Sequence, residues 1–252
     1  MNSSQSQKIK TDFFSQMRNH ENLELLFNSM PHICFWIKNA DFEFVFANTT
    51  VLNLFGCKSQ EELAGKGDDY FFPQEVSHKI RQDDEAIISG NKIIRNRIEI
   101  LPNSEGKVDW YSTNKIPLYG KNNKIIGITG TTRVIDNEQI LDYTGIELSG
   151  IVGYIYNNFN KNIEIKELAK MSGYSVSQFE NKFKNMLQIS PIRFIINMRI
   201  KAACKELTGS NRSIFEISQA MGFYDQSTFT RQFKSCIGIV PSQYRLKYRK
   251  KN

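Results

Sequence analysis

Four polar side chains, Gln226, Ser227, Thr230 and Arg231, fall largely on one arc of a helical stretch whose other arc carries Phe229 and Phe233, spaced four residues apart. The aromatic pair can pack while the polar set reaches outward. Side chains of these types can read a flat polar target by hydrogen bonding. The arginine fork matches the O6 and N7 acceptors of guanine, with phosphate as its alternative partner. An earlier stretch repeats the pattern, with Phe179 and Phe183 inward and Ser177, Glu180, Asn181 and Lys184 near the exposed arc. Asparagine suits adenine, and glutamate can accept from cytosine N4 but is unfavourable beside phosphates. Glu180 has a second use, an ion pair with Lys184 one turn on.

The segments that position these residues carry their own start and stop signals. Asp225 is placed as an N-cap after the turn residue Gly222, and Gly238 with Pro241 ends the helical pattern. Ser175 and Gln178 form an S-x-x-Q capping box ahead of the first copy. Gly173 and Tyr174 map onto Gly222 and Phe223 at an offset of 49, and Phe179, Phe183, Lys184, Ile189 and Pro191 map onto Phe229, Phe233, Lys234, Ile239 and Pro241 at an offset of 50. The unit is therefore duplicated, with one extra residue in the second turn. Between the copies a helix is expected from Pro191, capped by Ser190, to about Leu207. Two such units held apart suit a protein that reads adjacent major-groove faces of DNA, about 34 Å apart.

The strings GFYDQSTFTRQFK and GIVPSQYR, the first copy AKMSGYSVSQFENKFK and the intervening MRIKAACKEL together resemble the DNA-binding domain of the AraC/XylS family of transcription regulators. The resemblance covers residues from about 147 to the end. It implies that Ser177, Glu180 and Asn181 face base edges, that Gln226, Ser227, Thr230 and Arg231 do so in the second copy, and that double-stranded DNA is the partner. Arg199 resembles a basic residue frequent in that family's linker helix.

Charge is distributed in keeping with this. Residues 138–252 hold 17 basic and 9 acidic side chains, net +8, whereas residues 1–137 hold 16 and 17, net −1. A polyanion partner is thereby assigned to the C-terminal part, since neutralising phosphates releases counterions. With 40% hydrophobic and 23% charged residues over 252 positions, the chain suits two folded domains and not a disordered one.

Upstream, Phe13, Phe14, Met17, Leu23, Leu26, Phe27 and Met30 recur at near-helical spacing, so residues 1–30 read as amphipathic helices. These either cover the next domain or pair with a second chain. Residues 31–136 then read as two short strands, helices near Asn48–Phe55 and Gln74–Ser89, and three strands at about Ile93–Leu101, Val108–Tyr119 and Lys124–Ile135. This order, with GKGDDYFFPQE, RQDDEAIISGNK and KIIGITGTTRVI, resembles a PAS sensor domain. The resemblance implies a five-stranded antiparallel sheet with flanking helices around a core or a small-molecule pocket. By the two-residue period Asn96, Ile98, Trp110, Ser112, Asn114, Ile128 and Thr132 share one face, and Asn96, Trp110, Ser112 and Asn114 are the candidate ligand-binding residues. The polar ones can equally be satisfied by backbone or water, or the parity can slip at a bulge. Residues 137–147 are a connecting helix or hinge, with 148–252 as the DNA-binding domain.

The expected fold class is α+β: a PAS-like antiparallel sheet with flanking helices, then an all-α domain holding two helix-turn-helix units. The expected function is a sequence-specific, DNA-binding transcription regulator, cytoplasmic and homodimeric, whose activity follows a signal or small ligand at the PAS-like domain. The alternative is an architectural DNA-binding protein in which that domain only mediates dimerisation. No Ser/His/Asp set, phosphate loop or carboxylate pair points to an enzyme. Cys34 and Cys57, the only cysteines of the first half, do not make the zinc set of a methyl-acceptor repair protein. No metal site is expected and the cofactor is unknown. His78 is a surface residue or a haem ligand, and no flavin-attachment motif surrounds Cys57. No stretch nears the roughly 18 apolar residues of a membrane span.

Overall fold

Alternating apolar and polar residues draw the first half of the chain into a five-stranded antiparallel sheet, seen in a computed structural model that describes residues 21–90, 92–103 and 105–249. The helical expectation for residues 1–20 lies outside these residues. Helix α1 (Glu21–Asn28) leads into β1 (Ile33–Asn39) and β2 (Phe44–Ala47). Four helices follow: α2 (Thr49–Phe55), α3 (Gln60–Leu63), α4 (Asp68–Phe71) and α5 (Gln74–Ile88). Strands β3 (Ile94–Pro102), β4 (Val108–Tyr119) and β5 (Ile125–Ile135) complete the sheet in the order β2-β1-β5-β4-β3. Buried Asn48 fastens the first elements together, accepting from Phe35 N at 3.1 Å and donating to Phe27 O at 2.9 Å and Ile33 O at 2.7 Å.

Register within the sheet departs from the expected face. Tyr119 pairs with Ile125, but Leu118 pairs with Gly127, so one residue is inserted at the β4–β5 turn. A one-residue bulge turns every later side chain to the other face. Thr113, Lys115, Gly130, Thr132, Cys34, Trp36 and Lys38 therefore share a face, whereas Ser112 and Trp110 pair with Arg133 and Ile135 on the opposite one. A second irregularity, between Ile94 and Arg97, sets Asn96 at φ 50° on the exposed edge. The expectation that Asn96, Trp110, Ser112 and Asn114 share the helix-covered face with Ile128 and Thr132 is thus corrected.

After the sheet, α6 (Asn137–Asn158) opens with a capping box formed by Asp136 and Gln139 and is interrupted at Gly145 (φ 58°, ψ −179°). The rest of the chain is helical: α7 (Ile165–Met171), α8 (Val176–Leu187), α9 (Pro191–Gly209), α10 (Ile214–Ala220), α11 (Gln226–Ile237) and α12 (Pro241–Tyr248). Phe179, Phe183, Phe194, Phe229 and Phe233 are fully buried, so the aromatic pairs do pack inward. One apolar core runs from the outer face of β3 and β4 into the helices, where Trp110 stacks on Phe194 with ring centres 5.2 Å apart. The two halves are further joined by Tyr244 Oη donating to Gly106 O and by Lys201–Asp109 at 3.6 Å. Among the described residues no helix is long and apolar enough to cross a membrane.

Candidate nucleic-acid interface and sensor cavity

The two duplicated helices, α8 and α11, are each 12 residues long and begin at the expected caps. Ser175 Oγ accepts from Gln178 N, and the Gln178 side chain accepts in return from Ser175 N at 3.0 Å. Asp225 Oδ1 accepts from Thr228 N at 2.6 Å, and this backbone hydrogen bond holds the Asp225 carboxyl below its ordinary pKa. Before α11 the chain turns at Gly222 with φ 77°, and an added Cβ there would lie 2.5 Å from Asn160 O, so the turn and the close approach both require glycine.

Ser177, Glu180, Asn181 and Lys184 are all exposed on α8, and Gln226, Ser227 and Arg231 are exposed on α11 with Thr230 half-buried. Gln226, Ser227, Thr230 and Arg231 line one shallow concavity together with Lys234. Among the described residues no ion pair joins Glu180 to Lys184, so the intrahelical use of Glu180 is not realised. The copies differ at the next position of the repeat. Both lysines are exposed, but Lys184 makes no ion pair among the described residues, whereas its counterpart Lys234 reaches Glu75 of α5 at 2.5 Å and lowers that carboxyl's pKa. Arg199 ties α9 to the end of α6, donating to Phe159 O at 2.7 Å and Lys161 O at 2.8 Å, and lies 5.5 Å from the centre of the Phe223 ring.

Beneath the sheet lies a cavity of about 290 Å³, lined largely by apolar side chains including Trp36, Phe44 and Phe55. Of the four residues expected at such a site, Trp110 is buried against Phe194 and Asn114 is occupied by Asn96 N (2.9 Å) and Thr131 Oγ1 (3.3 Å). Ser112 Oγ is buried without a hydrogen-bond partner, and Asn96 is exposed. None of the four lines this cavity. His78 is exposed on α5 and does not line it either.

The cavity instead has an ionic floor that sequence reading missed. Lys38 pairs with Asp68 and, at 2.9 Å, with Asp84; Lys115 reaches Asp84 at 2.6 Å. All four are buried, with Asp84 fully so. Lys38 also lies over the Trp36 and Phe44 rings, 5.0 and 4.8 Å from their centres. Burial pushes the Asp68 carboxyl up, and the charge on Lys38 opposes that shift. The legible signal was Lys38 inside the apolar run HICFWIK, a place where a lysine needs a partner.

Residues 168–247 match a family described as a helix-turn-helix domain, and residues 27–139 match the PAS fold. The HTH-type transcriptional activator AarP of Providencia stuartii is 30% identical over 99 residues, which are 39% of this chain and 73% of that protein. The chain belongs to the AraC-type family of helix-turn-helix transcription regulators. In this AraC-type chain the DNA-binding domain follows a PAS-like one. The chain is also 29% identical over 104 residues to the MmsAB operon regulatory protein of Pseudomonas aeruginosa, across 41% of its own length and 34% of the relative's. The matched stretch spans about a third of the first curated relatives it resembles. An AraC-type transcriptional regulator from Chromobacterium violaceum aligns at 24% identity and a TM-score of 0.39, covering 42% of this chain and 95% of that one.

Proposed function

We propose that this AraC-type protein is a sequence-specific regulator of transcription. Gln226, Ser227, Thr230 and Arg231 read one major-groove segment, and Ser177, Glu180, Asn181 and Lys184 read the neighbouring one. A small ligand in the PAS-like domain alters how the pair engages the duplex. One observation carries this reading: the same 12-residue helix occurs twice, each copy capped, each burying a Phe pair and each presenting polar side chains outward. The net +8 of residues 138–252 supports the affinity part, since it favours release of phosphate counterions.

Selection from a pool of random duplexes tests it. A specific regulator enriches a defined sequence that it binds roughly 10³-fold or more tightly than bulk DNA. Enrichment of no sequence would favour an architectural role instead.

A further inference from the structure

The cavity under the PAS-like sheet is not closed by that domain alone. Gln188 and Ile189 at the end of α8, Arg193 and Asn197 on α9 and Cys236 on α11 complete its wall, so it lies on the seam between the sensor and the DNA-binding helices. Its volume of about 290 Å³ sits at the lower edge of the roughly 300–1,000 Å³ usual for small-molecule sites.

Charge at this seam is unbalanced. Lys38 and Lys115 are neutralised by Asp68 and Asp84, and Arg97 is held by Asp83 at 3.0 Å. Two cations remain, Lys79 on α5 and Arg193 on α9, one from each domain. Glu99 also lines the cavity and makes no ion pair among the described residues, so these groups together carry one net positive charge, which a monoanion would balance. Lys79 Nζ donates to the backbone and hydroxyl oxygens of Ser235, and among the described residues neither Lys79 nor Arg193 reaches a carboxylate. Desolvation first, and then repulsion from Arg193, lowers the Lys79 pKa. Both cations act on the buried Cys236 thiol, which burial nonetheless pushes up, so Cys236 remains a neutral wall residue. Lys79 and Arg193, one from each domain and near enough to repel, line the same cavity as Trp36, Phe44 and Phe55, so the two cations can share one anion.

We propose that the cavity binds a small aromatic monoanion, its ring against Trp36, Phe44 and Phe55 and its carboxylate between Lys79 of the sensor and Arg193 of the DNA-binding domain. The ligand thereby bridges the domains. By linkage it favours the docked arrangement in which Lys234 is held by Glu75. This rests on the ligand-modulated part of the proposed function, but its test needs no DNA.

Calorimetric titration of the full chain with 2-naphthoate and with its neutral counterpart 2-naphthamide provides that test. The expected result is that 2-naphthoate binds at least 10-fold more tightly than the amide. Arg193→Gln and Lys79→Gln should each weaken 2-naphthoate at least 5-fold without changing the amide, and Arg193→Lys should retain most of the affinity. Thermal unfolding of each variant guards against loss of fold. Equal affinity for acid and amide, no binding of 2-naphthoate, or an undiminished Arg193→Gln would overturn the proposal. A protein that binds 2-naphthoate as stated but selects no DNA sequence sinks the regulator reading and leaves the site, whereas the converse sinks only the site.

Discussion

Arg231 makes no ion pair among the described residues, although its charge acts on Asp225, and it lines the concavity with Gln226, Ser227 and Thr230. An arginine in that position can make a bidentate contact to guanine, and removing it exposes one base to substitution. Arg231→Ala is expected to cost about 1–3 kcal/mol on the preferred duplex and to relax preference at one base position. Anisotropy titrations against a panel of single-base variants measure this. A uniform loss on every duplex, with a shallower salt dependence, would mean that Arg231 contacts phosphate. Lys184 and Lys234 show how residues alike in sequence part company in structure. Both follow the second phenylalanine of their copy, yet Lys234 is claimed by Glu75 from an element about 160 residues earlier. No local pattern announces such a partner.

Among the elements, α6 joins the PAS-like domain to the helix-turn-helix domain, and its break at Gly145 sits two residues before Glu147, which contacts α8 and the turn ahead of it. Glu147 receives both Lys182 and Tyr174 Oη. At Gly145 the backbone adopts φ 58° and ψ −179°, a region essentially reserved for glycine. A Cβ added at this position would meet nothing within 4 Å, so crowding plays no part. Gly145→Ala should therefore destabilise the protein by about 1–3 kcal/mol, opposite in sign to the gain of roughly 1 kcal/mol expected in a regular helix. Urea unfolding monitored by circular dichroism gives the sign. In the sequence Gly145, Gly150 and Gly153 leave hinge and rod equally open, and the backbone of Gly145 decides for the break. Strands and the duplicated helices were legible because their signals are local: two-residue alternation, caps at Ser175 and Asp225, and Phe pairs one turn apart. The sheet face was not, because the single residue inserted at Leu118/Tyr119 reverses every inference drawn across it. The Lys38, Asp68, Asp84 and Lys115 cluster was hidden for another reason, since its pairs join β1, α4, α5 and β4 across separations of 30 to 46 residues.

At the scale of the molecule, the PAS-like sheet and the DNA-binding helices share one apolar core instead of hanging from a linker. Trp110 is the centre of that junction, 1% exposed and stacked on Phe194. The domains should accordingly unfold together in a single calorimetric transition. Trp110→Ala is expected to cost about 3–5 kcal/mol and to divide that transition in two. Two transitions in the unaltered protein would show that the junction couples nothing. Coupling of this kind would let the proposed ligand act on both duplicated helices, because the end of α8, α9 and α11 all contribute to the cavity wall. The proposed function still depends on two helices engaging one duplex. Hydroxyl-radical footprinting on a selected duplex should show two protected segments about one helical turn, 10–10.5 base pairs, apart, with Arg231→Ala weakening one segment and Asn181→Ala the other. A single protected segment, or uniform protection unaffected by either substitution, would contradict the two-reader arrangement.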